Sequence, residues 1–260
     1  MSIRSSGALL LAVLACAGVR SAGSPTTAPF LPPPTDVVIY ANDFNDPVGT
    51  TYPEWSAATY SWTSNQAGTI AAGAATETVT NIDSANRNER FLGELGGPII
   101  LKTPPYDRDH FVRVDESIVL SLVKLPSHAF MTVSFDLYIL KSWDGDSPAF
   151  GPDRWRVGLA GSPALLDTTF SNNFKTATDG SVQSYPSPAS APQTGAAAVN
   201  TLGYGFWFGD ATYHLTFTFP HTMDSAAVTF SSSLYEGKAE QVRSTRDESW
   251  GLDNVRVTLR

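Results

Sequence analysis

Two stretches of this sequence hold acidic and amide side chains at spacings that suit a hard cation. In the closing segment Asp247-Glu248-Ser249-Trp250-Gly251-Leu252-Asp253-Asn254-Val255-Arg256-Val257-Thr258-Leu259, strand alternation places Asp253 on the face of Val255, Val257 and Leu259. An ionised carboxylate left alone in an apolar layer costs several kcal/mol, so a cation, an Arg or backbone donors must meet it. Near the other end, DVVIYANDFND puts Val37, Ile39, Ala41, Asp43 and Asn45 on one parity. Calcium takes six to eight oxygens from carboxylates, amides and carbonyls. Asp43, Asn45 and Asp253 are therefore expected to hold one calcium ion that ties the first strand to the last; the plainer alternative is that both acids accept turn or backbone hydrogen bonds.

The second stretch is Ser142-Trp143-Asp144-Gly145-Asp146-Ser147, followed by Gly151-Pro152-Asp153-Arg154-Trp155. A Gly between Asp144 and Asp146 lets their carboxylates converge, as at the start of many calcium loops, although the full helix-flanked pattern is absent. Asp153 adds a third acid, and Asp247 and Glu248 complete the shell if the fold brings the last strand alongside. The competing reading is a solvated acidic turn.

Aromatic residues form the third candidate group. Tyr138, Trp143, Trp155, Trp207 and Trp250 fall at strand ends or on the polar parity, where an exposed ring stacks on a sugar while acids and amides bond its hydroxyls. Packing within the core or its rim is the alternative for each. Signals for catalysis are weak. His110, His128, His214 and His221 show no zinc spacing, and there is no Gly-x-Ser-x-Gly elbow and no Gly-rich phosphate loop. A glycosidase needs two carboxylates across a cleft, for which Asp136 and Glu248 are one candidate pair.

Strands must position these residues. Met131, Val133, Phe135, Leu137 and Ile139 alternate with Thr132, Ser134, Asp136 and Tyr138, which predicts a strand over 129–141. The same rule predicts strands over 98–102, 117–122, 154–159, 165–170, 212–219, 227–232 and 252–259. Residues 46–90 show little alternation and predict short strands and irregular loop, with one helical turn over 81–90. Residues 176–200 are rich in Ser, Pro, Ala, Gly and Thr and predict a mobile insertion at a rim. Nine or more antiparallel strands, with half of their side chains apolar, predict an all-β, two-sheet antiparallel β-sandwich of jelly-roll type, similar to concanavalin or galactose-binding folds.

Composition sets the bounds. The 260 residues suit one domain over 36–260, preceded by a Pro-rich linker over 23–35. A formal charge of −8, with 17 Lys and Arg that do not cluster, argues against nucleic acid as partner. Residues 1–22 read as an export signal, with Arg4 before the apolar run Ala8–Ala15 and small residues after it. This run is too short for a membrane span, so no transmembrane span is expected in the mature protein. Cys16 is the single cysteine; it lies in this signal, where Val13-Leu14-Ala15-Cys16 loosely matches a lipoprotein signal and Ala15-Cys16-Ala17 also fits ordinary cleavage. The mature protein then has no disulfide and is extracellular or on the cell surface.

Taken together, FLGELGGPIIL, LPSHAFMTVSFDLYILKSWDGD, GPDRWRVGLAG, LLDTTFSN, QSYP, GDATYHLTFTFPHT and DESWGLDNVRV resemble an exported bacterial β-sandwich domain of the kind found in PEP-CTERM-type surface proteins. More distantly they resemble the jelly rolls of MAM and carbohydrate-binding-module domains. The wider resemblance implies calcium at Asp43 and Asp253, with Asn45 an amide where an acid is expected or with Asp46 in its place. It implies a non-catalytic module for glycan or another cell-surface polymer. Two other classes stay open: a structural or adhesion protein, and a polysaccharide-cleaving enzyme. The sequence ends at Arg260 with no hydrophobic sorting tail, so anchoring is expected through Cys16 or a partner.

Overall fold

The structure, a computed structural model, describes residues 35–66, 69–96, 112–172, 182–205, 209–235 and 248–260. The export segment with Cys16, nearly all of the linker, the strand expected over 98–102 and Trp207 lie outside these residues. Thirteen strands are described: β1 Val37–Asn42, β2 Ala58–Gln66, β3 Thr69–Glu77, β4 Asn81–Asp83, β5 Arg90–Leu95, β6 Val112–Val123, β7 Phe130–Lys141, β8 Arg154–Leu159, β9 Ala164–Thr169, β10 Ala198–Val199, β11 Asp210–Pro220, β12 Ser225–Tyr235 and β13 Glu248–Leu259. One sheet runs β10-β11-β7-β13-β5-β4, with β1 also on β13; the other runs β3-β2-β6-β12-β8-β9. Every pairing is antiparallel. The chain alternates between the sheets through β5, β6, β7 and β8, and again through β11, β12 and β13, as in a jelly roll. The chain is an all-β, two-sheet antiparallel sandwich.

Alternation explains which face each strand buries. On β7, Met131, Val133, Phe135, Leu137 and Ile139 are buried against the second sheet, where Ile118, Leu120, Val228 and Phe230 face them. Trp155, Phe230 and Phe135 form the centre, with Trp155 edge-on to Trp250 at 5.9 Å between ring centroids. Each aromatic side chain buried in this way removes about 150–250 Å² from water, on the order of 4–6 kcal/mol before ordering entropy is charged against it.

One departure from alternation changes the reading of the closing strand. β13 pairs Asp253 with Asp136 and then Arg256 with Ser134, so Asn254 and Val255 together stand opposite Phe135. Asn254 takes a φ of 50° at this bulge. A bulge resets side-chain parity. Trp250 and Leu252 before it, and Val255, Val257 and Leu259 after it, therefore all reach the same core. Asp253 lies on the opposite, outer face and not, as alternation alone predicts, beside Val255 and Val257. It is still fully buried, because a second apolar layer of Phe91, Tyr138, Leu140, Leu202 and Tyr204 covers that part of the sheet.

Three further expectations are corrected. Residues 81–90 form the β4–β5 hairpin and not a helical turn: Glu89 N–H donates to Ser84 Oγ, and Ser84 Oγ donates to Asn86 Oδ1, which ties the loop locally. Residues 58–77 contain two nine-residue strands, β2 and β3, whose small side chains carry little periodicity. The described part of 176–200 is packed in place. Gln183 is buried and accepts from the backbone of Ser171 and Gln193, while Tyr185 packs edge-on to Tyr213.

Candidate functional site

Three buried carboxylates meet at one end of the sandwich. Asp144 follows β7, Asp153 precedes β8 and Glu248 opens β13; one oxygen from each lies within 4.8 Å of the others. All three are nearly inaccessible to solvent. The loop is closed by Gly145 at φ 63°, where a Cβ would lie 2.3 Å from the carbonyl oxygen of Val182, so no larger residue fits without moving that backbone. Asp153 Oδ2 accepts the Asp144 N–H at 2.6 Å, and Oδ1 accepts the Tyr235 N–H at 3.1 Å. Burial pushes the Asp153 carboxyl well above the usual carboxylate range, and the Asp144 charge pushes in the same direction against those two backbone donors. Three acids this close and this deep cannot all ionise without a compensating cation. Their donor atoms are all oxygen, so the group could hold a hard metal ion.

The other candidate ligands are placed differently. Asp146 does not join the cluster: its oxygens accept from Thr169 Oγ1 at 2.9 Å and Ser184 Oγ at 2.7 Å, and it ties the segment after 182 to this loop. Asp43 and Asn45 are exposed beyond β1, where Asp43 Oδ1 accepts the Asn45 N–H at 3.3 Å. Among the described residues, only Asp144, Asp153 and Glu248 form a group of three or more acidic, His or Cys side chains able to share an ion; Asp43 and Asn45 lie just past Asn42, the β1 residue that pairs with Val255. Asp136 and Glu248, the pair expected of a glycosidase, sit opposite Asp253 and Lys141 respectively. Five residues along β7 separate those positions, about 17 Å of strand.

The outer face of the β7 sheet carries a connected polar row. Asp253 accepts from Tyr138 Oη at 2.9 Å and from the Asn254 N–H at 2.7 Å. Asn254 Nδ2 bridges to Asp136 Oδ2 at 2.9 Å, and Asp136 Oδ1 pairs with His214 Nδ1. Burial raises the Asp253 carboxyl to about 7 despite its three donor contacts, and the Tyr138 hydroxyl is raised by burial and by Asp253. The row runs from buried to exposed: the side chain of His214 is 66% exposed and that of Asp136 17%. Thr216, Thr218, Arg256 and Asn254 continue the exposed polar surface.

None of the described aromatic candidates is a sugar platform. Trp143, Trp155 and Trp250 are fully buried and Tyr138 nearly so. Trp143 Nε1 donates to the Ser249 carbonyl at 2.8 Å and Trp250 Nε1 to Ser232 Oγ at 3.0 Å, so their polar ends are used internally. Parity held the missed signal, since Trp155 alternates with Val157, and Trp250 with Leu252, as core residues do. Two features escaped the sequence reading altogether. Glu116 lies on β6 in the buried row of Val114, Ile118, Leu120 and Leu122, and is itself buried. His128 and His221, far apart in sequence, stack with Nε2 and Nδ1 2.7 Å apart because β7 begins beside the end of β11.

No family model matches this chain, and no curated protein matches it. Among solved structures, a carbohydrate-binding module described for specific mannan recognition aligns over 87% of this chain and 99% of its own, at 12% identity and a TM-score of 0.37. Dimeric latent PorU from Porphyromonas gingivalis aligns over 84% of this chain and 22% of its own, at 10% identity and a TM-score of 0.29. A GH31 α-xylosidase from Xanthomonas citri aligns over 77% and 16%, at 8% identity and a TM-score of 0.23. Likenesses this remote support no conclusion about ligand or activity, which rests on the side chains above.

Proposed function

We propose that this protein is an exported, non-catalytic binding module that presents the outer face of its β7 sheet to a glycan and is stabilised by a calcium ion at Asp144, Asp153 and Glu248. The pre-ordered row of His214, Asp136 and Asn254 carries the binding reading. Its side chains are aligned by one another before any ligand arrives, so little side-chain entropy is lost on binding. Alternating donors and acceptors on an open strand surface suit the hydroxyls of a sugar chain. A polar face with no aromatic platform among its described residues gains little per sugar ring, which favours a polymer that crosses several strands over a single small sugar.

Calcium enters through the carboxylate cluster. Asp144, Asp153 and Glu248 would hold the ion, supplying the negative charge it needs and losing the mutual repulsion they otherwise carry. Export through residues 1–22 and attachment through Cys16 belong to the same reading, and metabolic labelling with palmitate, lost in Cys16→Ser, tests the anchor.

Affinity electrophoresis through gels containing soluble polysaccharides tests the glycan reading. Retardation by at least one polymer is expected, with loss in His214→Ala and Asn254→Ala and retention in Thr59→Ala on the other sheet. Equal retardation in all three variants, or none for the parent across a broad panel, overturns it and leaves a structural or adhesive role.

A further inference from the structure

His128 and His221 meet at the end of the sandwich opposite the acid cluster, where β7 begins beside the end of β11. His128 lies on the turn from β6 to β7 and His221 on the turn from β11 to β12. Their ring planes are 17° from parallel, and His128 Nε2 is 2.7 Å from His221 Nδ1, a hydrogen-bond distance. The outer nitrogens differ. His128 Nδ1 lies 2.6 Å from the Pro126 carbonyl oxygen, which can only accept, so this nitrogen carries a hydrogen. His221 Nε2 is buried with no hydrogen-bond partner, on a residue 5% exposed.

Protons can then be counted. In the neutral pair the hydrogen on His128 Nδ1 leaves its Nε2 bare, and His221 must donate to it from Nδ1. One added proton reverses the middle bond: His128 Nε2 donates to His221 Nδ1, the hydrogen of His221 moves to Nε2, and the charge sits on half-buried His128. A second proton has no place, because both nitrogens facing each other across 2.7 Å would then carry hydrogens. Burial and the His128 charge accordingly push His221 below its ordinary value, against the Ser225 backbone, which favours the protonated ring. Charged side chains on the surrounding segments are Lys124 and Asp224 on the same two turns, Arg260 after β13 and Asp36 before β1. Arg260 lies over the Phe130 ring at 5.3 Å, and none of the four is among the influences on His221.

We propose that this pair is an acid-opened latch: it holds the β6–β7 and β11–β12 turns together while it carries at most one proton, and releases them when acid supplies the second. Around it, the Leu125 N–H donates to the Asp224 carbonyl at 2.9 Å and the His221 N–H to the Ala129 carbonyl at 3.0 Å. Opening breaks these bonds. Phe130 and Pro220, the last pair of the β7–β11 ladder, lie directly beside the latch, so release frays one end of the sheet that carries the outer polar row. The direction of the pH effect follows from His221. Freed, its ring takes a proton near pH 6.5; in the closed latch it does so only at lower pH. Below about 6.5 the open form therefore binds more protons, and the latch weakens as pH falls until His221 is protonated in the closed form as well. The buried acids Asp153 and Asp253, raised in the folded protein, shift stability the opposite way, so loosening by acid at this end has the histidines as its source. Nothing here depends on what the outer face binds or on calcium.

Amide hydrogen exchange of the whole protein in EDTA at pH 7 and pH 5, corrected for the intrinsic pH dependence of exchange, tests the proposal together with NMR titration of the imidazoles. At pH 5 the Leu125 amide should lose protection by about tenfold, while amides at the centre of the sheet, such as Leu137, do not. His221→Gln, which leaves nothing to protonate at the buried position, should abolish that loss. In His128→Gln, a change at a half-buried turn residue that keeps the test available if His221→Gln fails to fold, His221 should titrate at higher pH than in the parent, because the neighbouring charge is gone. Unchanged protection of Leu125 at pH 5 in the parent, an equal loss in His221→Gln, or a His221 titration at the same pH in the parent and His128→Gln would each overturn the assignment.

Discussion

The two acidic regions of this sandwich show opposite ways of burying carboxylates. At its end, Asp144, Asp153 and Glu248 crowd within 4.8 Å, and Asp153 accepts from the backbone N–H groups of Asp144 and Tyr235 and shares a hydrogen bond with Glu248. On the outer face, Asp253 and Asp136 are interleaved with neutral and basic donors from Tyr138, Asn254 and His214. Like charges are therefore crowded together in the first region and interleaved with neutral and basic donors in the second. Crowding favours a cation in the first region; in the second, neighbouring side chains share the charge. The comparison also separates stabilisation from recognition, since the interleaved region is the one that reaches solvent.

The largest effect should come from Asp153→Ala. It orphans two backbone N–H groups and removes one third of the acid cluster, and is expected to cost about 2–5 kcal/mol, read as a fall in the urea midpoint. A loss below 1 kcal/mol would mean that the cluster is not a structural centre. Next is calcium itself. An ion that binds only the folded state adds about 2.7 kcal/mol at a hundred times its dissociation constant, so chelation should lower Tm by several degrees. That shift should vanish in Glu248→Gln and persist in Asp253→Asn. If Asp253→Asn abolishes it instead, the ion sits at the closing-strand bulge and the comparison drawn here is reversed.

A smaller effect is the pH dependence of the outer-face row in EDTA. Asp253 ionises near 4 when unfolded and at about 7 when folded, so the folded state binds more protons between those values. Stability from this group is then fully present below about pH 4, falls as pH rises toward 7, and is flat above. Each unit of displacement corresponds to about 1.36 kcal/mol, an upper bound for a group already held by three donor contacts. Denaturant titrations from pH 4 to 8 should show this slope in the parent and lose part of it in Asp253→Asn; Asp153, raised in the same direction, keeps the remainder until calcium is added. The smallest stability effect belongs to His214→Ala, within about 0.5 kcal/mol of the parent, as expected for an exposed pair. A larger loss would show that the outer row, too, is structural.

Much of the architecture was readable from alternation. Residues 129–141 and 154–159 carry it plainly, and β7 and β8 form there because two-residue periodicity with large apolar side chains leaves one stable arrangement, half-buried in a sheet. Asp144, Asp153 and Glu248 were also within reach as acids near strand ends, although nothing in their order distinguished them from Asp146, which turns instead to Thr169 and Ser184. The bulge at Asn254 was not readable. A parity reset depends on which residue of β7 each residue of β13 meets, and Asp253 cannot be assigned to a face until that register is known.

Local pattern, then, determined the fold class and the strands with large side chains, because burial at every second position is a property of adjacent residues. Tertiary structure alone decided which acids meet, that Trp143, Trp155 and Trp250 point inward, and that Glu116 is buried. These outcomes depend on the pairing of β7 with β11 and β13 and of β6 with β2 and β12. Such pairings join residues from about 50 to about 130 positions apart, where hydrogen-bond register and the close approach of two sheets, and not the order of residues in any one segment, determine what each side chain touches.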